Sequence, residues 1–360
     1  LFGELMYAEY EYVHECRSLA YTYIDGLPVQ PGNTVHNWRS WLQFHYYCTH
    51  SLGPIMIITG ERPTRVVALP ARPSLAGYLL GNEEGMGGIA PSLINMSNGA
   101  VVRNLMGATT NDTHIQRLWG TLGSAELNVG RELTLRLGGS GGSPKLEVRP
   151  RWDDLGELAA KTGHGGGDFW MVYFFARQIL TGEPAPFEIF AACDVTIPGI
   201  LAYRSSTEGG TPYTVPDFRQ PEARAAWRED HWAQQHFDPN AVFPATCDAG
   251  ITQHFTATMA ALIRYSTAYR AYADWERVAS DLARPAELLP IVENLANQYD
   301  DLLTTYALAR RIVTACPGTD GARVLAEMLA LGGEAVATTP AFRTALLARR
   351  DSLKAEYAHG

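Results

Sequence analysis

The segment "SLINMSNGAVVRNLMG" (Ser92–Gly107) decides the fold class. Two apolar runs flank Asn98-Gly99, and Asn-Gly between hydrophobic stretches is the strongest short hairpin signal a sequence offers. Upstream, "RVVALPA" (Arg65–Ala71) reads as a short strand. Downstream, "RLWGTLGSAELNV" (Arg117–Val129) and "ELTLRLGGSGGSPKLEVRP" (Glu132–Pro150) repeat the pattern of strand, turn and strand. Hairpin-length connections join antiparallel neighbours, because a parallel pair needs a long crossover. "LFGELMYAEYEYV" (Leu1–Val13) alternates from its first residues, which predicts a piece of a longer chain whose upstream part is missing.

The period changes at Asp168. "DFWMVYFFARQILTG" (Asp168–Gly182) has an acidic first turn and a terminal glycine, predicting a helix that lies on the sheet. Pro198 interrupts a second helical stretch, and "GGTPYTVPDFRQPEAR" (Gly209–Arg224) reads as loop. "ATMAALIRYSTAYRAYADWERVASDLA" (Ala257–Ala283) and "ELLPIVENLANQYDDLLTTYALARRIVTA" (Glu287–Ala315) carry apolar residues at three- and four-residue spacing, with prolines suited to inter-helix turns. The expected fold is α+β: an open, mainly antiparallel β-sheet with helices on one face, followed by an all-α C-terminal region. The expected division is an α+β domain over residues 1–218, a linker over 219–254 and a helical region over 255–360.

A net charge of −9 without a Lys/Arg cluster disfavours nucleic acid and anionic membrane as partners, and no apolar run reaches the eighteen or so residues of a bilayer span. The five cysteines (16, 48, 193, 247, 316) are odd in number and lack CxxC spacing, which argues against a disulfide framework or metal site. A reducing, cytoplasmic setting is the expectation, with any export signal on the missing part.

Four clusters concentrate chemistry. In "EYEYVHECR" (Glu9–Arg17), period two puts Tyr10, Tyr12 and His14 on one strand face, which could equally be an aromatic surface under a helix. "HNWRSWLQFHYYCTHSLGP" (His36–Pro54) combines Arg39, whose planar fork suits hydroxyl and carbonyl oxygens, with Tyr47 and His50 three apart. Its structural reading is an aromatic amphipathic element. "GHGGGDFW" (Gly163–Trp170) sets His164 among glycines before a helix; it is a helix-start loop or a ligand approach, but not a dinucleotide fingerprint. "THIQRLWGTLGSAE" (Thr113–Glu126) puts His114 ahead of a strand, where structure is the simpler reading.

The order of these motifs resembles the C-terminal part of Gfo/Idh/MocA-type oxidoreductases, in particular the α-N-acetylgalactosaminidase-like branch, glycoside hydrolase family 109. "GELMYAEYEYVHECR" resembles its first strand after the nucleotide domain, with Tyr-x-His. "NWR" and "YCTHSLGP" resemble its Trp-Arg and Tyr-Pro-Thr-His-x-x-Gly-Pro, with Cys48 in place of the proline, a change expected to loosen that turn. "RLWGTLGS", "GHGGGDF" and "TVPDF" follow in the family's order over roughly residues 1–218.

The resemblance implies the substrate half of an enzyme whose N-terminal Rossmann half, with its NAD, is absent. The chain alone is then expected to be inactive and to bind no NAD. The family's route cleaves a glycoside by oxidation at C3, deprotonation at C2 and loss of the C1 leaving group. By carry-over, Tyr12 is the base at C2 and His50 assists removal of the C3 hydroxyl proton. Arg39, Tyr47 and Thr49 hold sugar oxygens, His14 and His164 support the pocket, and His114 supplies a further contact. The alternatives are simple dehydrogenation of a sugar or cyclitol, or a non-catalytic fragment acting in assembly, with homo-oligomers forming through the open sheet. Residues 219–360 have no counterpart in the resemblance.

Overall fold

The structure is a computed structural model that describes residues 1–15, 44–73, 75–76, 88–109, 112–128, 132–149, 153–232, 255–278, 285–318 and 320–358. These residues fall into two compact units, one drawn from Leu1–Glu15, Gln43–Ser74 and Glu84–Gln235, the other chiefly from His236–Gly360.

The first unit is built on a nine-stranded sheet. Its strands are β1 (Leu5–Val13), β2 (Pro63–Ala68), β3 (Ile89–Met96), β4 (Val101–Gly107), β5 (Gln116–Gly120), β6 (Gly123–Leu127), β7 (Leu133–Leu137), β8 (Lys145–Val148) and β9 (Tyr213–Thr214). They lie in the order β8-β7-β6-β5-β1-β4-β3-β2-β9. Every pairing is antiparallel except β1 with β4. The Asn98-Gly99 hairpin joins β3 to β4. Met96 N–H bonds to Ala100 C=O and only Gly99 takes a positive φ (88°), so three residues make the loop, with Gly99 supplying the left-handed turn.

Helices cover one face of this sheet. A 3-10 turn (Phe44–Cys48) runs into α1 (Thr49–Thr59), and α1 and α4 (Ile189–Thr207) pack against β1, β2 and β4. Between them lies a core that includes Ala8, Tyr10, Leu52, Ile55, Val66, Ile94, Val102 and Leu201. Pro198 is buried inside α4 and does not end it. The Cys48 thiol donates to the Val195 carbonyl (3.0 Å), and burial pushes that thiol up to about 12. The cysteine therefore ties the turn to α4, where the sequence predicts a loosened turn. Gly199 allows this approach, since a Cβ there would lie 2.3 Å from the His45 carbonyl oxygen.

Three further expectations need correction. The helix from Gly167 to Thr181, α3, forms and stops at Gly182 as predicted, but none of its residues is buried, so it does not lie on the sheet. Phe169, Trp170, Tyr173 and Phe174 instead pack on one another. The stretch Gly209–Arg224, read as loop, contains β9 and the start of α5 (Pro221–Trp227), with proline at a helix start where no N–H is needed. Cys316 is disulfide-bonded, against the reading of the cysteine spacing, whereas Cys48 and Cys193 are free. A short helix α2 (Asp154–Ala159), capped by the Asp153 side chain, precedes α3.

The second unit is helical: α6 (Phe255–Val278), α7 (Pro285–Asn297), α8 (Tyr299–Ala315), α9 (Asp320–Leu331), α10 (Glu334–Ala337) and α11 (Pro340–Ala358). Its core includes Phe255, Met259, Leu262, Leu302, Leu325 and Leu346, all fully buried. The stretch Glu287–Ala315 is two helices rather than one, broken at Gln298 (φ −105°, ψ 17°). Buried tyrosines close the unit. Tyr306 donates to Gly332 C=O (3.0 Å) and Tyr299 to Ala337 C=O (2.8 Å). Among the described residues no helix is long and apolar enough to cross a membrane.

Candidate functional site

The site forms at the C-terminal end of β1. Alternation along the strand points Ala8, Tyr10 and Tyr12 to the helix-covered face. Tyr10 is core, and Tyr12, one step nearer the strand end, is only half-buried. Beyond it the backbone pairs once more. Val13 and Thr113 exchange N–H···O bonds of 3.1 and 2.8 Å, which places His14 opposite Asp112 and Tyr12 opposite His114. The start of α1 supplies the third side. The turn brings Tyr47 and His50 onto one face, as their spacing predicts, and the His50 ring stacks on Tyr12 at 4.2 Å and 13°. Tyr47 stacks with both, at 6.2 Å from Tyr12 and 5.6 Å from His50. His114 lies 4.9 Å from Tyr12, and His14 lies 6.0 Å from it.

Tyr12, His50 and His114 border a cavity of about 510 Å³, lined also by Asp112, Gln116 and Asn128 among others. Hydroxyl, amide, carboxylate and imidazole groups around an aromatic face suit a polyol, whose oxygens need donors and acceptors while its C–H face stacks. The imidazole of His50 is held below its ordinary pKa, first by partial burial and then by the positive charge that His164 and His114 can carry. Both effects favour the uncharged ring, the form that can accept a proton. For Asp112, burial alone would raise the carboxyl. The Glu15 backbone N–H (2.6 Å) and the adjacent His14 imidazole outweigh that and hold it below its usual value.

His164 stands apart from the cavity lining. It has a left-handed φ of 53° and an exposed ring whose Nδ1 is 2.8 Å from Asp168 Oδ1 at the start of α3, so it reaches His50 electrostatically rather than by contact. Thr49 is the first residue of α1, half-buried and not part of the cavity lining. Arg39 lies outside the described residues. Sequence reasoning missed Asp112, although Asp112-Thr113-His114 has the same one-residue spacing as Tyr12-Val13-His14. It also missed Gln116 and Asn128, which carry no local signal.

Residues 147–229 match the family described as "Glycosyl hydrolase 109, C-terminal domain". The chain is 25% identical over 259 residues to the α-N-acetylgalactosaminidase of Tannerella forsythia, an alignment covering 61% of this chain and 54% of that protein. It is 26% identical over 260 residues to a glycosyl hydrolase family 109 protein of Parabacteroides distasonis, covering 61% and 55%. The chain thus spans about half the length of the curated relatives it matches. Among solved structures, a levoglucosan dehydrogenase in complex with NADH and levoglucosan is similar at 15% identity and a TM-score of 0.40, over 60% of each chain. The family reached from the order of the sequence motifs is the one these comparisons return.

Proposed function

We propose that this chain, which carries a glycosyl hydrolase 109 C-terminal domain over residues 147–229, is the substrate half of an NAD-dependent sugar-processing enzyme that cleaves glycosides by redox elimination. The observation that carries this reading is the Tyr12-stacked imidazole of His50 facing a polar cavity of about 510 Å³. Among the described residues no Gly-rich turn leads from a parallel strand into a helix. The dinucleotide is expected on the half of the relatives that this chain does not match. Its nicotinamide would supply hydride exchange at a sugar carbon.

This chain's own residues bind the sugar and move protons. His50 accepts a proton from a sugar hydroxyl, a step suited to an imidazole whose surroundings favour its uncharged form. Tyr12 is assigned the proton on the carbon next to the one oxidised, with Tyr47 and His114 holding neighbouring oxygens. Thr49 and Arg39 are assigned further oxygens, and His14 and His164 supporting roles. Such a route needs no pair of carboxylates at glycosidase spacing.

The test uses protein extended to the relatives' full length, an aryl α-N-acetylgalactosaminide and added NAD, with product analysis. Release of free sugar at unchanged oxidation state, without accumulation of NADH, is the expected result. Tyr12→Phe and His50→Ala are each expected to lower kcat by about 10²–10⁴-fold. Accumulating NADH with an oxidised sugar would mean simple dehydrogenation, and unchanged turnover in both variants would remove these residues from the chemistry.

A further inference from the structure

We propose that His14, Asp112 and His114 bind a divalent first-row transition ion, of which zinc is the natural probe, at the rim of the cleft. Their ligand atoms all lie within 4.8 Å of one another. An ion held tetrahedrally about 2.0–2.1 Å from each ligand needs those atoms about 3.3–3.4 Å apart, so imidazole rotations that move a ring nitrogen by up to roughly 1.5 Å close the cluster. One edge is already there. His14 Nδ1 lies 2.9 Å from Asp112 Oδ1, yet it is out of line for a hydrogen bond and counts among the buried ring nitrogens that make none. That separation is close to the one between adjacent corners of a coordination polyhedron around such an ion.

The scaffold holds the three residues in place. His14 and Asp112 flank the Val13–Thr113 bridge on its two strands, and the His14 N–H donates to Gly107 C=O (2.9 Å). The Glu15 N–H fixes the carboxylate at 2.6 Å, the kind of outer hydrogen bond that orients metal ligands. Two imidazoles and one carboxylate favour zinc, iron, cobalt or manganese over magnesium or calcium, which prefer all-oxygen shells. Three protein ligands leave positions open, as in catalytic rather than structural sites. Asp112 and His114 line the cavity, so an open position there would take water or a sugar hydroxyl beside Tyr12. The CxxC-type spacing that sequence analysis looks for is absent because the ligands come from the end of β1 and the loop before β5.

The site does not depend on which reaction the cleft performs. Its test is to strip the full chain with a chelator, then titrate it with zinc by calorimetry and with cobalt by visible absorption. One ion per chain is expected, with d–d bands for cobalt and no competition from excess magnesium. Asp112→Asn and His114→Ala should each weaken binding at least tenfold, while His231→Ala, an exposed histidine outside the cluster, should leave it unchanged. The wild-type stoichiometry decides the matter even if a variant misfolds, and circular dichroism identifies that case. Binding well below one ion per chain, displacement by magnesium, or wild-type affinity in a folded Asp112→Asn/His114→Ala double variant would overturn the proposal.

Discussion

The two faces of the sheet use the same strands and behave differently. On the face under α1 and α4, Ala8, Tyr10, Ile94 and Val102 are buried, and the polar groups among them are enclosed. Asn104 Nδ2 donates to Ser92 Oγ (3.2 Å), the Ser51 hydroxyl meets the Asn104 side chain, and His45 has no exposed surface at all. On the other face, a row of alternating charge crosses four strands. Arg103 faces Glu9 (3.6 Å) and Glu11 (2.9 Å), and Arg117 faces Glu9 (3.5 Å) and Glu126 (2.8 Å), with Tyr7 and Trp119 alongside. Residues one step apart thus meet opposite conditions: dense packing with little tolerance on one side, solvated pairs of small individual worth on the other. The candidate site lies where the covered face runs out. Tyr12 and His14 keep the inward direction of Tyr10 but are only half-buried.

The contrast can be broken most severely at Gly199. A Gly199→Val side chain would meet the His45 carbonyl oxygen and Cys48 Sγ, whose distances from an ideal Cβ are 2.3 and 2.8 Å. A loss of about 3–4 kcal/mol is expected, seen as a fall in denaturant midpoint. His45 gives the next largest effect, through pH. Burial lowers its folded-state pKa to about 3 from an ordinary 6.5. Above pH 6.5 both states are neutral. Below it the unfolded chain takes up a proton that the folded chain refuses, so stability falls with falling pH, by about 3 kcal/mol at pH 4. His45→Phe should flatten that acid limb in thermal melts across pH 4–8, while a wild-type limb in the variant would place the acid sensitivity elsewhere.

Asn104→Ala should cost about 2 kcal/mol at constant denaturant slope, because it strips partners from the enclosed Ser51 and Ser92 hydroxyls. The smallest effect is expected on the open face. Arg117→Ala removes two ion pairs but should cost about 0.5 kcal/mol or less, and that little should fade in high salt. A cost for Arg117→Ala equal to that for Asn104→Ala would show that the open face is covered in solution.

Much of this was legible in residue order. Asn98-Gly99 announced its hairpin, the switch of hydrophobic period announced the helices, and the paired spacings of Tyr12 with His14 and of Tyr47 with His50 put each pair on one face. Those readings depend on the strand period of two and the helical period of 3.6, which are properties of the local backbone. Periodicity could not say that α3 would remain exposed, because an apolar helix looks the same whether or not something covers it. Nor could it show that Asp112 would stand beside His14. That neighbourhood depends on a single bridge between Val13 and Thr113, residues distant in sequence whose pairing exists only once β5 has aligned antiparallel to β1. Local periodicity is enough to say which side chains share a face. Which faces meet follows only from the folded arrangement, because strand pairing and packing act between segments whose separation no local pattern encodes.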